Sequence, residues 1–194
     1  MNPLLVECDG VAPQRWRNAG GLTRELLAWP SGAAWRYRVS VADIERDAAF
    51  STYPGVTRWF AVIEGSGVEL DIDGARRRVS AACAPLRFAG DAPVSCRLLD
   101  GPTRDLNLML RDSGGMMRAA RDGSAWVPPA GGCGLFATRA GRCRWSSGPT
   151  GGDAFADLPR LALLWFDRAP RQLRFECAAP PADVVGWWLA AHPR

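Results

Sequence analysis

The chain is divided into short segments by turn-forming residues, and this constrains its fold more than any other feature. The 194 residues include 21 glycines and 15 prolines, which end regular elements or begin turns. Between these residues lie short runs that are rich in β-branched and aromatic side chains, or that alternate between apolar and polar ones. We therefore predict an all-β barrel or sandwich with few short helices.

The alternation also predicts particular elements. The main predicted strands are residues 22–29, 35–44, 59–64, 67–72, 77–81, 94–99, 106–111, 161–166 and 172–177. Residues 68–76 alternate around Asp73-Gly74, which predicts a β-hairpin. Residues 184–191, which follow Asp183 as an N-cap, predict one short helix. Two β-rich stretches flank a middle rich in glycine, which fits two related barrels.

Charge and composition exclude several functions. The net charge of +4 comes from arginine alone, since the sequence contains no lysine, so a Schiff-base lysine and a phosphate-loop lysine are absent. The densest basic cluster, residues 76–78, follows the Asp-Gly turn and is typical of a solvated hairpin face rather than a nucleic-acid site. No apolar run reaches the length of a membrane span, and the N-terminus does not resemble a signal peptide. We expect a cytoplasmic protein without nucleic-acid or membrane partners, and a homodimer is compatible with the sequence.

Cysteine and histidine usage gives no metal signature. The six cysteines are scattered, without the two-residue spacing of a zinc knuckle or redox motif, which predicts free and mostly buried thiols. The single histidine, His192, stands two residues from the end of the sequence, where we expect a frayed tail. We therefore predict no metal site and no cofactor.

Polar residues share one face of several predicted strands. In the strand 35–44 that face carries Arg36, Arg38, Ser40 and Ala42. Asp105 and Asn107 alternate with leucines in a later strand, and residues 23–29 place Thr23, Glu25, Leu27 and Trp29 on one side. Such mixed faces either meet water or line a barrel interior. The long connection 50–58, which ends at Arg58, is typical of a ligand-binding loop at a barrel mouth.

Four blocks resemble one protein family. Residues 16–25, Trp-Arg-Asn-Ala-Gly-Gly-Leu-Thr-Arg-Glu, are similar to the W-x-N-G-G-G-x-T-x-E signature of the HutD/Ves family, with Ala19 where the first glycine is usual. Residues 35–42, 50–58 and 105–109 resemble its later blocks in the same order. The resemblance covers residues 5–111 and implies a bacterial, cytoplasmic bicupin, with two cupin-like jelly-roll β-barrels fused in one chain.

The resemblance also implies a domain division and a biological setting. Residues 1–111 would form the N-terminal barrel with the pocket, and residues 112–194 a second, smaller cupin-like half packed intimately with it as one unit. Family members are linked to histidine-utilisation operons, where a regulatory or ligand-sensing role has been proposed. Metal cupins use two or three histidines and a glutamate, so a chain without histidine before His192 does not fit a metal-dependent dioxygenase.

Together, the residues and the resemblance predict a site for a small acidic metabolite. Arg38 and Arg58 would clamp a carboxylate, because guanidinium groups bind planar anions bidentately. Arg36 would replace Arg38 if the strand register differs by one. Histidine-degradation intermediates such as urocanate or N-formimino-glutamate have the matching charge pattern. The expected ligand-binding residues are Asn18, Gly20, Gly21, Thr23, Glu25, Arg38, Arg58, Asp105 and Asn107.

Two other functions compete with ligand sensing. A metal-independent isomerase or hydrolase would use Glu25 or Asp105 as general base, although the sequence identifies no catalytic residue. A carboxylate of raised pKa in a sealed pocket would favour this enzyme, and an arginine-paired carboxylate would favour binding alone. An interaction module would instead expose an apolar patch around Trp187 and Trp188.

Overall fold

The structure is a computed structural model, which describes residues 2–146, 153–178 and 183–193. Apart from a single 3-10 turn at Cys8–Gly10, the regular elements in these ranges are β-strands that pair in antiparallel sheets, which confirms the all-β prediction. None of these residues lies in a helix long and apolar enough to span a membrane. The strands are β1 Leu4–Glu7, β2 Gln14–Arg15, β3 Gly21–Trp29, β4 Tyr37–Ile44, β5 Ala48–Ala49, β6 Val56–Glu64, β7 Val68–Ile72, β8 Ala75–Val79, β9 Leu86–Ala89, β10 Val94–Leu98, β11 Thr103–Arg111, β12 Ser113–Ala120, β13 Ala125–Trp126, β14 Gly132–Ala137, β15 Gly141–Ser146, β16 Ala154–Leu158, β17 Ala162–Phe166, β18 Gln172–Cys177 and β19 Gly186–Pro193.

The chain forms two compact units. The N-terminal unit comprises residues 11–113, and the C-terminal unit comprises residues 1–10 and 114–194. The first ten residues therefore lie with the later half of the chain, whereas the sequence placed them in the N-terminal barrel. The reason is strand pairing, since β1 runs antiparallel to β17 from Leu4 opposite Trp165 to Glu7 opposite Ala162.

Each unit contains two sheets with the same strand plan. In the N-terminal unit the orders are β2-β3-β4-β11-β6-β9 and β5-β10-β7-β8, and in the C-terminal unit they are β1-β17-β14-β19-β12 and β13-β18-β15-β16. Adding eight to each strand number converts β4-β11-β6-β9 into β12-β19-β14-β17 and the first four-stranded sheet into the second. The chain thus contains the jelly-roll plan twice, although the sequence has no visible repeat.

The predicted hairpin is confirmed. Strands β7 and β8 pair from Val68 opposite Val79 to Ile72 opposite Ala75. Both turn residues have positive φ, 51° at Asp73 and 82° at Gly74, which is the backbone that a two-residue turn between twisted strands requires. The arginines of residues 76–78 are exposed on β8, as predicted for a solvated hairpin face.

The predicted helix at residues 184–191 is wrong. Residues 186–191 of this range belong to β19, which lies between β14 and β12 in its sheet, so that Trp187 and Trp188 are only 1% and 2% exposed. The predicted frayed tail is also wrong, because His192 is in this strand and its ring occupies the space beside Gly114. The burial of the two tryptophans removes the exposed patch that an interaction module would need.

Aromatic and aliphatic side chains fill the core of the C-terminal unit. Trp126 and Trp188 stack with ring centroids 5.0 Å apart, and Trp145 meets Phe166 edge-on at 5.1 Å. The buried thiols of Cys133 and Cys143 belong to the same core. None of the six cysteines, all of which lie in the described ranges, forms a disulfide, and Cys8, Cys96, Cys133 and Cys143 are buried, which confirms the prediction for the thiols.

Candidate ligand-binding site

The interior face of the N-terminal unit is built by rows of residues that lie opposite one another across β3, β4, β11 and β6. One row consists of Glu25, Ser40, Asn107 and Phe60. The next consists of Ala28, Arg38, Met109 and Arg58. Because directly opposed residues of antiparallel strands point to the same face, this sheet turns two arginines, an amide and a hydroxyl toward the barrel interior.

A bulge in β3 changes which residues of that strand face inward. Glu25 lies opposite Ser40 and Leu27 lies opposite Val39, so that Leu26 is an extra residue. An extra residue reverses the alternation beyond it. The prediction that Leu27 and Trp29 share the face of Glu25 is therefore wrong, and Ala28 stands beside Arg38 instead.

A cavity of about 530 Å³ opens above these rows, which is within the range of small-molecule sites. Its walls combine a polar sheet face with aromatic rings and the segment around β2. Among the described residues of its lining there are four arginines and no aspartate or glutamate. The lining residues are Gln14, Arg15, Trp16, Arg17, Asn18, Thr23, Arg38, Ser40, Ala42, Ile44, Ala49, Phe50, Ser51, Tyr53, Arg58, Phe60, Asn107 and Met109.

Arg58 is a buried cation without an acidic partner. It is 7% exposed, and its guanidinium donates to Asn107 Oδ1 at 3.1 Å and to the Ser51 carbonyl at 3.4 Å. Its buried Nε has no hydrogen-bond partner, and it forms no ion pair with any residue that the structure describes. Its Cζ lies 5.0 Å from the Phe50 ring centroid and 5.1 Å from that of Phe88. The pKa of Arg58 is lowered to about 10, mainly by burial, with Tyr53 opposing this change and the nearby charge of Arg38 adding to it.

Arg38 adds a second positive charge to the same face. Its Nε lies 2.8 Å from Glu25 Oε2 in an ion pair, with side-chain exposures of 14% for Arg38 and 41% for Glu25. Glu25 itself is outside the cavity lining. Arg36, the alternative in a shifted register, is exposed and also lies outside the lining.

The signature stretch is held together largely by its own hydrogen bonds. Trp16 Nε1 donates to Thr23 Oγ1 at 2.7 Å. Asn18 Oδ1 accepts from the Gly20 N–H at 3.1 Å, while its Nδ2 donates to the Ala49 carbonyl at 3.1 Å. Asn18 and Thr23 line the cavity. However, these hydrogen bonds use both polar ends of Asn18 and attach the stretch to Ala49 in β5.

Steric limits explain the small residues of the signature. A Cβ on Gly21 would lie 2.1 Å from the Asp43 carbonyl oxygen, and one on Gly20 would lie 2.5 Å from Ala48 Cβ. Both glycines therefore allow close packing within the unit and lie outside the cavity lining. Ala19 has φ of 54°, a left-handed conformation that favours glycine, which gives a physical reason for the glycine that the family signature has there.

Asp105 is completely buried and lies outside the lining. Thr103 Oγ1 donates to its Oδ2 at 2.9 Å, and its Oδ1 has no hydrogen-bond partner within the described part of the chain. Burial raises the pKa of Asp105 to about 8, with the Thr103 hydrogen bond lowering it and the Asp43 charge raising it. The carboxyl group is therefore mostly protonated at neutral pH.

The structure brings five of the nine expected ligand-binding residues to the cavity, namely Asn18, Thr23, Arg38, Arg58 and Asn107. Four lie outside its lining, namely Gly20, Gly21, Glu25 and Asp105. Sequence reasoning did not select Arg15, Arg17, Phe50 or Tyr53 as ligand contacts. The sequence did contain features that could have identified them. The two arginines flank the tryptophan of the signature, and the two aromatic residues lie in the connection 50–58.

The interior of the N-terminal unit does not fit a divalent metal ion. Its polar groups include two guanidinium cations, Arg38 and Arg58, which repel a metal cation. Among the described residues no group of three or more histidine, cysteine, aspartate or glutamate side chains could hold one. The described residues of this unit therefore offer no set of ligands for a metal ion.

The repeated jelly-roll and the interior cavity are those of a cupin-type β-barrel protein. The HutD family model matches residues 9–180, and the chain belongs to the HutD family. An uncharacterised 21.2 kDa protein in the hutC 3′ region of Pseudomonas putida is 39% identical over 108 residues, 54% of this chain and 56% of that protein. Protein Ves of Cronobacter sakazakii is 36% identical over 97 residues, 50% of this chain and 54% of Ves. The matches thus span about half the length of these curated relatives.

Solved structures share the whole fold. A conserved protein of unknown function from Pseudomonas aeruginosa PAO1 superposes with a TM-score of 0.81 at 25% identity, covering 98% of this chain and 97% of that one. HutD from Pseudomonas fluorescens SBW25 also gives 0.81, at 22% identity with both chains fully covered. Oxalate decarboxylase of Bacillus subtilis gives 0.62 at 9% identity, covering 97% of this chain and 76% of the enzyme. The predicted cupin fold and family are confirmed.

Proposed function

We propose that the N-terminal unit binds a small carboxylate-bearing metabolite, and that the protein is a cytoplasmic sensor or regulator rather than an enzyme. The supporting cavity has about 530 Å³ of space and a lining of positive charge. Arg38 and Arg58 together hold the carboxylate, Asn107 orients Arg58, and Ser40 supplies a hydroxyl on the same face.

Arg58 is the observation that carries this proposal. An ionised group that is removed from water is costly unless it is paired. The described residues offer Arg58 an amide oxygen, a carbonyl oxygen and aromatic faces, but no carboxylate. An anionic ligand supplies the missing partner, and it also relieves the repulsion between Arg58 and Arg38.

The class of metabolite is suggested by the relatives. One relative, from Pseudomonas putida, is named for its place in the hutC 3′ region. We extend that connection to this chain and propose an acidic intermediate of histidine degradation, of the urocanate or formimino-glutamate class. These molecules combine a carboxylate with a nitrogen-containing end, for which the cavity offers the aromatic rings of Phe50 and Tyr53.

The two candidate general bases favour binding over catalysis. Glu25 forms an ion pair with Arg38, so its carboxylate is already engaged within the protein. Asp105 has the raised pKa that suits a general base, but it is fully buried and lies outside the cavity lining. Neither carboxylate therefore stands as a free base beside the space that a ligand would fill.

A thermal-shift screen tests the proposal. The probes are histidine, urocanate, formimino-glutamate, formyl-glutamate, glutamate and formate. A ligand at a hundred times its Kd stabilises the native state by about 2.7 kcal/mol, so at least one acidic probe should raise the melting temperature in a dose-dependent way. Arg38→Ala should weaken that binding by about 2 kcal/mol, because it removes a charge-assisted contact.

The matched control is Arg36→Ala, which removes the same charge from an exposed position two residues away and should leave binding unchanged. An equal loss in both variants would mean that only the overall charge matters. A folded protein that responds to none of the acidic probes contradicts the proposal.

A further inference from the structure

The cavity has more positive charge than one carboxylate needs. Besides Arg38 and Arg58, its described lining contains Arg15 and Arg17. These two arginines flank Trp16, at the end of β2 and in the turn that follows. Arg38 is paired with Glu25, which lies outside the lining. Even so, the four guanidinium groups around this space carry more positive charge than a simple monoanion can neutralise, because the described lining contains no carboxylate.

The four arginines differ in depth. Arg58 is buried and Arg38 nearly so, whereas the Arg15 side chain is 64% exposed and Arg17 is exposed. Arg15 has only a long contact with Glu45, 3.8 Å between Nη1 and Oε2. Arg17 forms no ion pair with any residue in the described ranges. The site thus has an inner pair of cations and an outer pair.

Apolar rings line the space that these pairs share. Trp16 and Phe50 meet edge to face with ring centroids 6.2 Å apart, and Phe50 is 5.9 Å from Phe60. Such walls suit a short hydrocarbon or planar link, which the hydrophobic effect favours against rings. The lining therefore combines buried cations, exposed cations and apolar rings.

We infer that the cavity selects dianions, specifically small dicarboxylates whose two carboxylates are joined by a short apolar or planar link. This inference rests on the proposed carboxylate site and specifies its ligand class. One carboxylate binds Arg38 and Arg58 in the interior. The other binds Arg15 and Arg17 at the mouth, where planar guanidinium groups match carboxylate geometry.

The test compares diacids with their own monoamides by isothermal titration calorimetry. The pairs are succinate with succinamate, glutarate with glutaramate, and adipate with adipamate, which differ by one charge at constant length. The best diacid should bind about tenfold more tightly than its monoamide, the effect of one hydrogen bond to a charged group. In a double variant, Arg15→Gln with Arg17→Gln, this advantage should fall to about twofold or less, while monoamide affinity stays unchanged.

Arg36→Gln is the matched control, since it removes an exposed arginine outside the lining, and its diacid preference should remain. Equal affinity for diacid and monoamide in the natural chain overturns the dianion inference alone, because carboxylate binding persists. Equal losses of both ligands in the double variant overturn it as well. If no carboxylate in the series binds, both this inference and the proposed function fail.

Discussion

The two units share one strand plan but fill their interiors differently. In the N-terminal unit, β11 and β6 turn Asn107, Met109 and Arg58 toward a cavity. The strands at the same places in the C-terminal plan are β19 and β14, which contribute Trp188 and Leu135 to a packed core. The same pair of sheets thus encloses a polar space in one unit and a hydrophobic core in the other.

This difference separates what the fold requires from what a ligand site requires. A jelly-roll is stable with its interior filled by apolar groups, as in the C-terminal unit, because burial of such groups drives folding. Two arginines and an open space contribute little to that stability. They occur in only one of the two described interiors, and this is the contrast on which we base the proposed binding site in the N-terminal unit.

The largest expected effect comes from opening the filled interior. Trp188→Ala should cost about 3–5 kcal/mol of unfolding free energy, because it removes a buried ring and leaves a void. Met109→Ala, on the lining of the N-terminal cavity, should cost about 2 kcal/mol, at the low end for its type, because its side chain already borders space. Urea denaturation measures both.

The informative quantity is the difference between the two variants in lost unfolding free energy. Equal losses would mean that the cavity around Met109 is closed in solution, and the distinction between the two interiors would fail.

The next effect is a pH dependence within the N-terminal unit. Asp105 has a pKa of about 8 in the folded chain, well above its value of about 3.9 when unfolded. The native state therefore retains a proton that the unfolded chain loses, so this group's contribution is fully present below about pH 4 and is lost as pH rises to 8. Asp105→Asn should gain about 2–4 kcal/mol relative to the natural chain near neutral pH and little at acid pH.

Urea unfolding at several pH values between 4 and 8 checks this expectation. Asp91→Asn, at an exposed position, serves as the control and should show no such trend. A stability difference for Asp105→Asn that stays constant over this range would contradict the burial of a protonated carboxyl.

The smallest effect is expected for a variant that makes the interior of the N-terminal unit more apolar, like that of the C-terminal unit. Arg58→Met keeps an extended apolar stem among the aromatic rings but removes the unpaired buried charge. We expect the ligand-free protein to gain about 2 kcal/mol, since the cost of desolvating that charge disappears. Thermal unfolding without ligand measures the gain. A marked destabilisation would indicate that the guanidinium is satisfied within the unit and needs no ligand.

Much of the fold could be predicted from the sequence, and the errors in that prediction have physical causes. Alternation and turn residues located most strands because a sheet with one wet face has a clear period of two. Residues 184–191 were assigned wrongly because β19 is covered on both faces, and a continuous apolar run cannot be distinguished from a buried helix by its period. The pairing of β1 with β17 could not be anticipated, since contacts distant in sequence have no local signal.

The site was predictable where alternation was regular and hidden where it was not. Arg38 follows from the undisturbed period of β4. The bulge at Leu26 reversed the faces of β3, which no propensity indicates. Strand pairing buries Asp105, and the path of the turn after β2 brings Arg15 and Arg17 to the same cavity as the inner arginines. Neither strand pairing nor the path of a turn can be deduced from the local sequence.

The most direct test of the central claim observes Arg58 itself while a carboxylate is added. With ¹⁵N-labelled arginine, the Nε–H resonance of Arg58 is assigned by its loss in Arg58→Met and followed during titration with urocanate, formyl-glutamate and glutamate. Because this N–H has no hydrogen-bond partner among the residues that the structure describes, we predict a saturable shift with at least one of them, matching the rise in melting temperature. A ligand that stabilises the protein while the Arg58 resonance stays in place, or no response to any of the three, would contradict the account.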